Sequence, residues 1–160
     1  MIIRHARMSD LDELLQIENA CFPKEEAVSR EALEQRLKTF PYHFWLMEMN
    51  GSIVGFVNGM ATDKRELRDE MYSDASLHND RGAWQMIFGV DTIPQYRNRG
   101  YASQLITRLI EDSRADGRRG VVLTCKQHLI KYYEKFGFVN EGISSSVHGG
   151  AVWYSMRLEF

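Results

Sequence analysis

The chain reads as a single α/β domain, residues 1–160, with a central mixed and twisted sheet flanked by helices. Three observations predict this. With 160 residues and 44% hydrophobic side chains, the chain has one core's worth of apolar material. Hydrophobic spacing alternates along it between the strand period of two and the helix period near 3.6. Hairpin signals flank the alternating middle, so the sheet is mixed rather than purely parallel. The expected order is β-α-α-β-β-(α)-β-α-β-α-β-β.

Ile2 to Ala6 is a short first strand. Ser9 is placed to cap a helix over Asp10–Ala20, with Asp12 three residues on in a capping-box relation and Leu11, Leu14, Leu15 and Ile17 inside. Phe22-Pro23 ends it. Ser29 caps a second helix with Ala32, Leu33 and Leu37 on its inner face. His43 to Met49 and Ser52 to Met60 are strands joined by Asn50-Gly51, a strong hairpin turn because both residues accept positive φ. In the charged stretch from Asp63 to Asp80, residues Arg65 to Met71 suggest a short exposed helix. Trp84 to Asp91 is a buried strand. Ala102 to Ala115 is a long helix stopped by Gly117. Val121 to Thr124 is a strand, Leu129 to Lys135 a helix ended by Gly137, and Phe138–Glu141 and Val152–Leu158 the closing strands.

Composition removes several function classes. The formal net charge is −2, which argues against general nucleic-acid binding. Cys21 and Cys125 are too few for a disulfide scaffold or a thiolate metal site, no other ligand spacing suggests a metal, and the cysteines read as reduced thiols. The N-terminal residues have no apolar core of a signal peptide, and the longest uncharged run, Met49 to Thr62, is too short to span a bilayer. A cytoplasmic location, with no membrane partner, is the expectation.

The informative segment runs from Val90 to Leu105: buried strand, tight turn, then helix. The first amides of a helix have no internal partner, and the helix dipole adds partial positive charge there. Around this end stand Arg97 and Arg99, then the small residues Gly100, Ala102 and Ser103. No Asp or Glu occupies the first turn; Glu111, Asp112 and Asp116 come late. Such an end suits a phosphate or pyrophosphate. The P-loop pattern and the dinucleotide Gly-x-Gly-x-x-Gly are both absent. The competing reading is an Arg-rich surface turn that caps an ordinary helix.

What stands here is Arg97-x-x-Gly100-x-Ala102, after a strand and with Pro94 and Tyr96 in the turn. It resembles the Gln/Arg-x-x-Gly-x-Gly/Ala signature of the GNAT superfamily of N-acetyltransferases. Leu129 to Phe138, with Tyr132, Tyr133 and Gly137-Phe138, is similar to the family's later helix. Within the superfamily the chain looks most like the arylalkylamine N-acetyltransferase group, on Glu18 to Pro23, Asp63 to Leu67 and Leu123 to Lys126. The resemblance implies acetyl-coenzyme A as co-substrate, with contacts from Val90, Thr92, Arg97, Asn98, Arg99, Gly100, Tyr101, Ala102 and Ser103. It implies direct acyl transfer to a primary amine of a small molecule, by a monomer or homodimer.

That reaction needs a base for the amine, main-chain donors for the carbonyl oxygen and an acid for the leaving thiolate. The resemblance places Tyr133 as the acid. Vertebrate relatives carry a His pair on the strand before the turn, where this chain has Met86 and Phe88, so that base does not transfer. Some insect relatives place a base Glu after the first helix; Glu26 is the match, near Phe22, Pro23 and Val28, with a pair of solvated loop carboxylates as the alternative. Asp91, one residue off the parity of Met86 and Phe88, is expected on the opposite strand face unless a bulge reverses it. His78 and His128 read as surface residues and Cys125 as an inert thiol rather than an acyl carrier. Without the His pair, a non-catalytic acyl-coenzyme A sensor or regulatory protein on the same fold is a live second reading. A phosphate-binding adaptor for another nucleotide is a third.

Overall fold

The computed structural model describes residues 1–160. The strands are β1 Ile2–Arg4, β2 Phe44–Met49, β3 Ser52–Asn58, β4 Ala61–Thr62, β5 Trp84–Ile87, β6 Gly89–Thr92, β7 Gly120–Cys125, β8 Val139–Ile143 and β9 Tyr154–Glu159. The helices are α1 Leu11–Cys21, α2 Arg30–Thr39, α3 Tyr101–Ala115 and α4 Ile130–Glu134. The strands form a four-stranded sheet, β1-β2-β3-β6, and a five-stranded one, β4-β5-β7-β9-β8. All pairs are antiparallel except β5 with β7, which α3 connects. No helix is long and apolar enough to cross a membrane.

Pleating sorts the core into two layers. In β2, Phe44 and Leu46 pack toward Leu14 and Ile17 of α1 and Leu33 and Leu37 of α2. Trp45 and Met47, on the other face, pack with Leu105, Ile106 and Leu109 of α3. Each helix therefore buries the stripe its sequence spacing gives it. Asn50 and Gly51 take φ of 51° and 82°, the hairpin turn read from sequence.

Two local expectations fail. Ser9 caps nothing. Asp10, at the end of a 3₁₀ turn, is the residue that organises this entry: its carboxylate takes the Arg7 amide at 2.8 Å and the Arg4 guanidinium at 2.9 Å. The buried ion pair gives Asp10 more than Ser9's hydroxyl offers. Arg65 to Met71 forms no α-helix; the stretch has only 3₁₀ turns at Asp69–Tyr72 and Ala75–Leu77. Its apolar residues Leu67, Met71 and Ala75 are buried four apart, but exposed charge between them leaves no continuous apolar stripe.

The feature that places the site is a β-bulge. Gln85 opposes Ala61 and Asp91 opposes Phe56, so six steps on one strand meet five on the other. The extra residue sits at Phe88–Gly89, opposite Asn58, which accepts the Phe88 amide at 2.7 Å and is also paired with Gly89. Beyond the bulge β6 follows β3 and leaves β7, and the sheet opens into a V. Gly59 permits the crossing: a Cβ there would run into the Met86 carbonyl.

At the far end of the sheet, His43 is buried and donates from Nδ1 to Gln85 Oε1 at 2.8 Å, because the Gln85 amide nitrogen is committed to the carbonyls of Gly59 and Met86. His78 accepts the Ala61 amide through Nδ1 and therefore donates from Nε2 to Asp80. Burial pulls His43 down to about 4. Its folded value lies below the unfolded value near 6.5, so its contribution is present above pH 6.5 and lost as pH falls toward 4. Urea unfolding at pH 7 and pH 5 is expected to differ by about 2 kcal/mol from this residue, and His43→Gln to flatten that dependence. Gly59→Ala is expected to destabilise the fold by at least ~2 kcal/mol, measured the same way.

Candidate functional site

The V between β6 and β7 has donors on one wall. Ile93 donates its amide to Val54, so strand alternation turns the amides of Val90 and Thr92 away from β3, toward the gap. The Thr92 carbonyl, on the same side, accepts from Arg97 Nε at 3.1 Å and Cys21 Sγ at 3.3 Å. Here the main chain is free to serve a guest rather than a neighbouring strand.

The turn after β6 leads directly to the start of α3. Asn98 and Gly100 both adopt the left-handed conformation, φ 63° and 80°, and Gly100 is the N-cap. No side chain caps this helix and no acid stands in its first turn; its ladder begins with Gln104 donating to Gly100. The amides of Tyr101, Ala102 and Ser103 lie at the start of that ladder, where a helix offers no internal acceptor. Arg97 and Arg99 are exposed beside it, Arg99 stacked over Tyr96 at 5.3 Å. Ser103 Oγ bonds Tyr132 OH at 2.9 Å, tying α3 to α4. The coenzyme residues taken from the sequence thus lie along one continuous path, from the Val90 and Thr92 amides through the turn to the helix end.

A cavity of about 450 Å³ fills the V. Tyr133 lies in its wall, and burial pushes its phenol up, so it holds its proton at any physiological pH. Cys125 is also in the wall; burial pushes its thiol up to about 11, which suits the inert thiol expected. Glu26 lines the cavity too, but its carboxylate is held by Lys126 Nζ at 2.8 Å instead of sitting only among apolar groups. His128 is an exposed residue at the rim, and His78 belongs to the distant His43 network.

Several cavity residues escaped the sequence reading. His148 donates from Nε2 to the Glu26 carbonyl at 3.0 Å, stacks on Tyr72 at 4.2 Å and carries Trp153 on its own carbonyl. It comes from the irregular Ser144–Trp153 connection, which has no periodic signal. Glu18 of α1 and Arg36 of α2 are charged, yet they are only 6% and 4% exposed. Asp91 is fully buried. The Phe88–Gly89 bulge reverses its parity and places it on the α1 side with Glu18, Cys21 and Arg36 near it, the same face as Met86 and Phe88. The opposite face expected for a regular strand is thereby corrected. The signal for it was the Phe-Gly pair inside the strand.

Comparison with known proteins agrees with this fold. A solved GNAT-like decarboxylase, GphF in complex with isobutyryl-coenzyme A, superposes with a TM-score of 0.82 over 99% of both chains at 24% identity. A GNAT family acetyltransferase from Brucella melitensis, solved with acetyl-coenzyme A, superposes at 0.64 over 99% of this chain and 87% of its own, at 19% identity. A probable hydrolase of Bacillus subtilis, YhcX, is 27% identical over 104 residues, 61% of this chain; the chain spans 20% of that relative's length. None of these relationships points specifically to arylalkylamines. A family model described as acetyltransferase (GNAT) family matches residues 11–138, and the chain belongs to that family.

Proposed function

We propose that this protein transfers the acyl group of acetyl-coenzyme A, or a close acyl homologue, to a primary amine of a small molecule, an arylalkylamine being the first class to try. The observation that carries this reading is the V itself: outward main-chain donors at Val90 and Thr92 lead without interruption to the uncapped start of α3. The pyrophosphate would lie on the amides of Tyr101, Ala102 and Ser103, with Arg97, Asn98 and Arg99 around it and Gly100 leaving room for close approach. The thioester would then fall beside Val90 and Thr92, whose amides oppose the charge that develops on the carbonyl oxygen.

Tyr133 supplies the proton to the leaving thiolate; a buried phenol is a competent donor because it stays protonated. Glu26 meets the substrate's positive charge. Lys126 now holds that carboxylate, and an ammonium group would exchange with it. Phe22, Phe88 and Trp153 give an apolar tail somewhere to go.

One observation favours a second reading. The decarboxylase superposes better than the acetyl-coenzyme A complex, 0.82 against 0.64. Loss of carbon dioxide from a carboxyacyl-coenzyme A needs the same donors for an enolate oxygen and no amine. Two assays separate these: thiol release with a panel of amines, and carbon dioxide release from malonyl-coenzyme A. The first is expected to respond and the second to stay at background. Tyr133→Phe is expected to lower kcat for amine acetylation about 10²-fold or more with acetyl-coenzyme A affinity unchanged. Arg97→Ala is expected to weaken calorimetric binding of coenzyme A by about tenfold, in a salt-dependent way. No heat with acetyl-coenzyme A would dismiss both readings.

A further inference from the structure

The acyl-transfer reading leaves one requirement open: Glu26 is engaged by Lys126, and something must receive the proton that nitrogen loses. We infer that Glu18 is the general base and that Asp91, through one proton shared between the two carboxyl groups, is its positioning residue. This rests on the acyl-transfer reading and goes beyond it.

Asp91 is fully buried, and neither of its carboxyl oxygens meets a hydrogen-bond donor. A buried carboxylate with no donor is costly, whereas a carboxylic acid beside a second carboxylate brings its own donor. That second group is Glu18. Its Oε2 accepts the Val28 amide at 3.1 Å, which fixes the side chain, and the residue lines the cavity. Asp91 lies immediately beneath the thioester wall: a Cβ on Gly89 would stand 3.2 Å from its Oδ1, and Val90 and Thr92 flank it in sequence.

The charged surroundings allow one ionisation, not two. Arg36, from α2, is the cation near this pair. It donates to Asn58 Oδ1 at 3.0 Å and to the Tyr72 carbonyl at 2.7 Å, stacks on Phe88 at 4.6 Å, and touches no carboxylate directly. Burial lowers it to about 10, so it stays charged at neutral pH. The other titratable groups facing Asp91 are Cys21 of α1 and Tyr133 of α4, neither of which adds positive charge. One cation among two acids balances a single negative charge. Burial first, and then Glu18, push the Asp91 carboxyl well above the ordinary range.

In the reaction the neutral amine attacks the thioester carbon, forming the C–N bond. The C–S bond breaks, and the thiolate takes the Tyr133 proton. Glu18 takes the surplus proton from nitrogen. Exchange with solvent returns a proton to Tyr133 and removes one from Glu18, so nothing else is consumed.

The test uses the full chain with a reactive amine found in the panel. With saturating acetyl-coenzyme A, kcat/KM is expected to rise with pH along a limb set by the first ionisation of the Glu18–Asp91 pair, and Glu18→Gln is expected to remove that limb. Glu18→Gln is also expected to lower kcat/KM about 10² to 10⁴-fold while calorimetric acetyl-coenzyme A affinity stays within about twofold. Glu18→Asp is expected to keep the limb at reduced rate. Asp91→Asn is expected to retain a measurable rate and move the midpoint up, because the acid proton that Asp91 donates to the Glu18 carboxylate is lost; a purely structural Asp91 would leave the midpoint in place. Carboxyl-carbon NMR titration gives a readout independent of turnover: two resonances titrating jointly in two steps in the wild type, with the second proton retained well above the ordinary carboxylate range, and a single resonance titrating alone in Asp91→Asn. Glu18→Gln that folds, binds coenzyme and turns over within threefold of wild type would overturn the assignment. So would a titration with both carboxyls ionised below pH 5. A wild type that binds acetyl-coenzyme A and acetylates no amine would defeat the acyl-transfer reading instead, with the NMR result still deciding whether the proton is shared.

Discussion

The extra residue at Phe88–Gly89 is the constraint on which the working half of this molecule depends. Without it the strand from Trp84 to Thr92 would run straight alongside β7, and the amides of Val90 and Thr92 would close a ladder. With it, β5 stays in register with β7 while β6 follows β3 away. One inserted residue does three things at once. It opens the V, frees two amides on its wall, and rotates Asp91 from one strand face to the other. Gly59 is where the opposing backbone comes too close for a side chain, so the bulge and that glycine form one device.

The two ends of the sheet deal with buried polarity in contrasting ways. Around His43 most capacity is matched: Gln85 gives its amide hydrogens to carbonyls and takes the imidazole hydrogen, while His78 accepts an amide and donates to Asp80. That network fixes tautomers and a register. Around Asp91 the matching is incomplete, with two carboxyl oxygens and the Arg36 Nε left without partners. Buried polar groups are ordinarily satisfied. Single guanidinium nitrogens of Arg4, Arg118 and Arg157 are also unpartnered, but Asp91 is the side chain with both polar atoms orphaned, and it sits in a cluster that borders the cavity, where incomplete satisfaction is expected to serve chemistry rather than rigidity.

Legibility from sequence followed the same boundary. Periodicity found the strands and long helices, because each buries a regular stripe, and the Arg97-to-Ala102 pattern marked the uncapped start of α3, because exposed main-chain donors leave their mark in small residues and missing acids. Ser9 was misread since a hydroxyl before a helix is a cap only when no stronger acceptor is near, and Asp10 is stronger. The 65–71 helix failed because charges interrupt its buried positions. Asp91 depended on a bulge that its own residue type does not announce. Glu18 and Arg36 stand at inward helical spacing, four residues after Leu14 and three after Leu33; their charge hid this, because what lets them be buried is the polar neighbourhood brought together across α1, α2 and β6. His148 comes from a connection without any period.

This division explains why the fold constrains the donor more closely than the acceptor. On the proposed reading the coenzyme would be gripped largely by backbone groups, which survive wide changes in side chain provided the bulge, the turn and the helix start remain. The acceptor wall is made of side chains from segments distant in sequence: Glu18, Glu26, Arg36, Tyr72, Lys126 and His148. A relative can therefore share the whole architecture and a coenzyme A thioester while performing another reaction on it, as the solved GNAT-like decarboxylase illustrates. For this chain the discriminating information lies in how that wall handles charge: one ion pair at Glu26–Lys126, and, facing it from deeper in the fold, two acids with a single guanidinium to balance them.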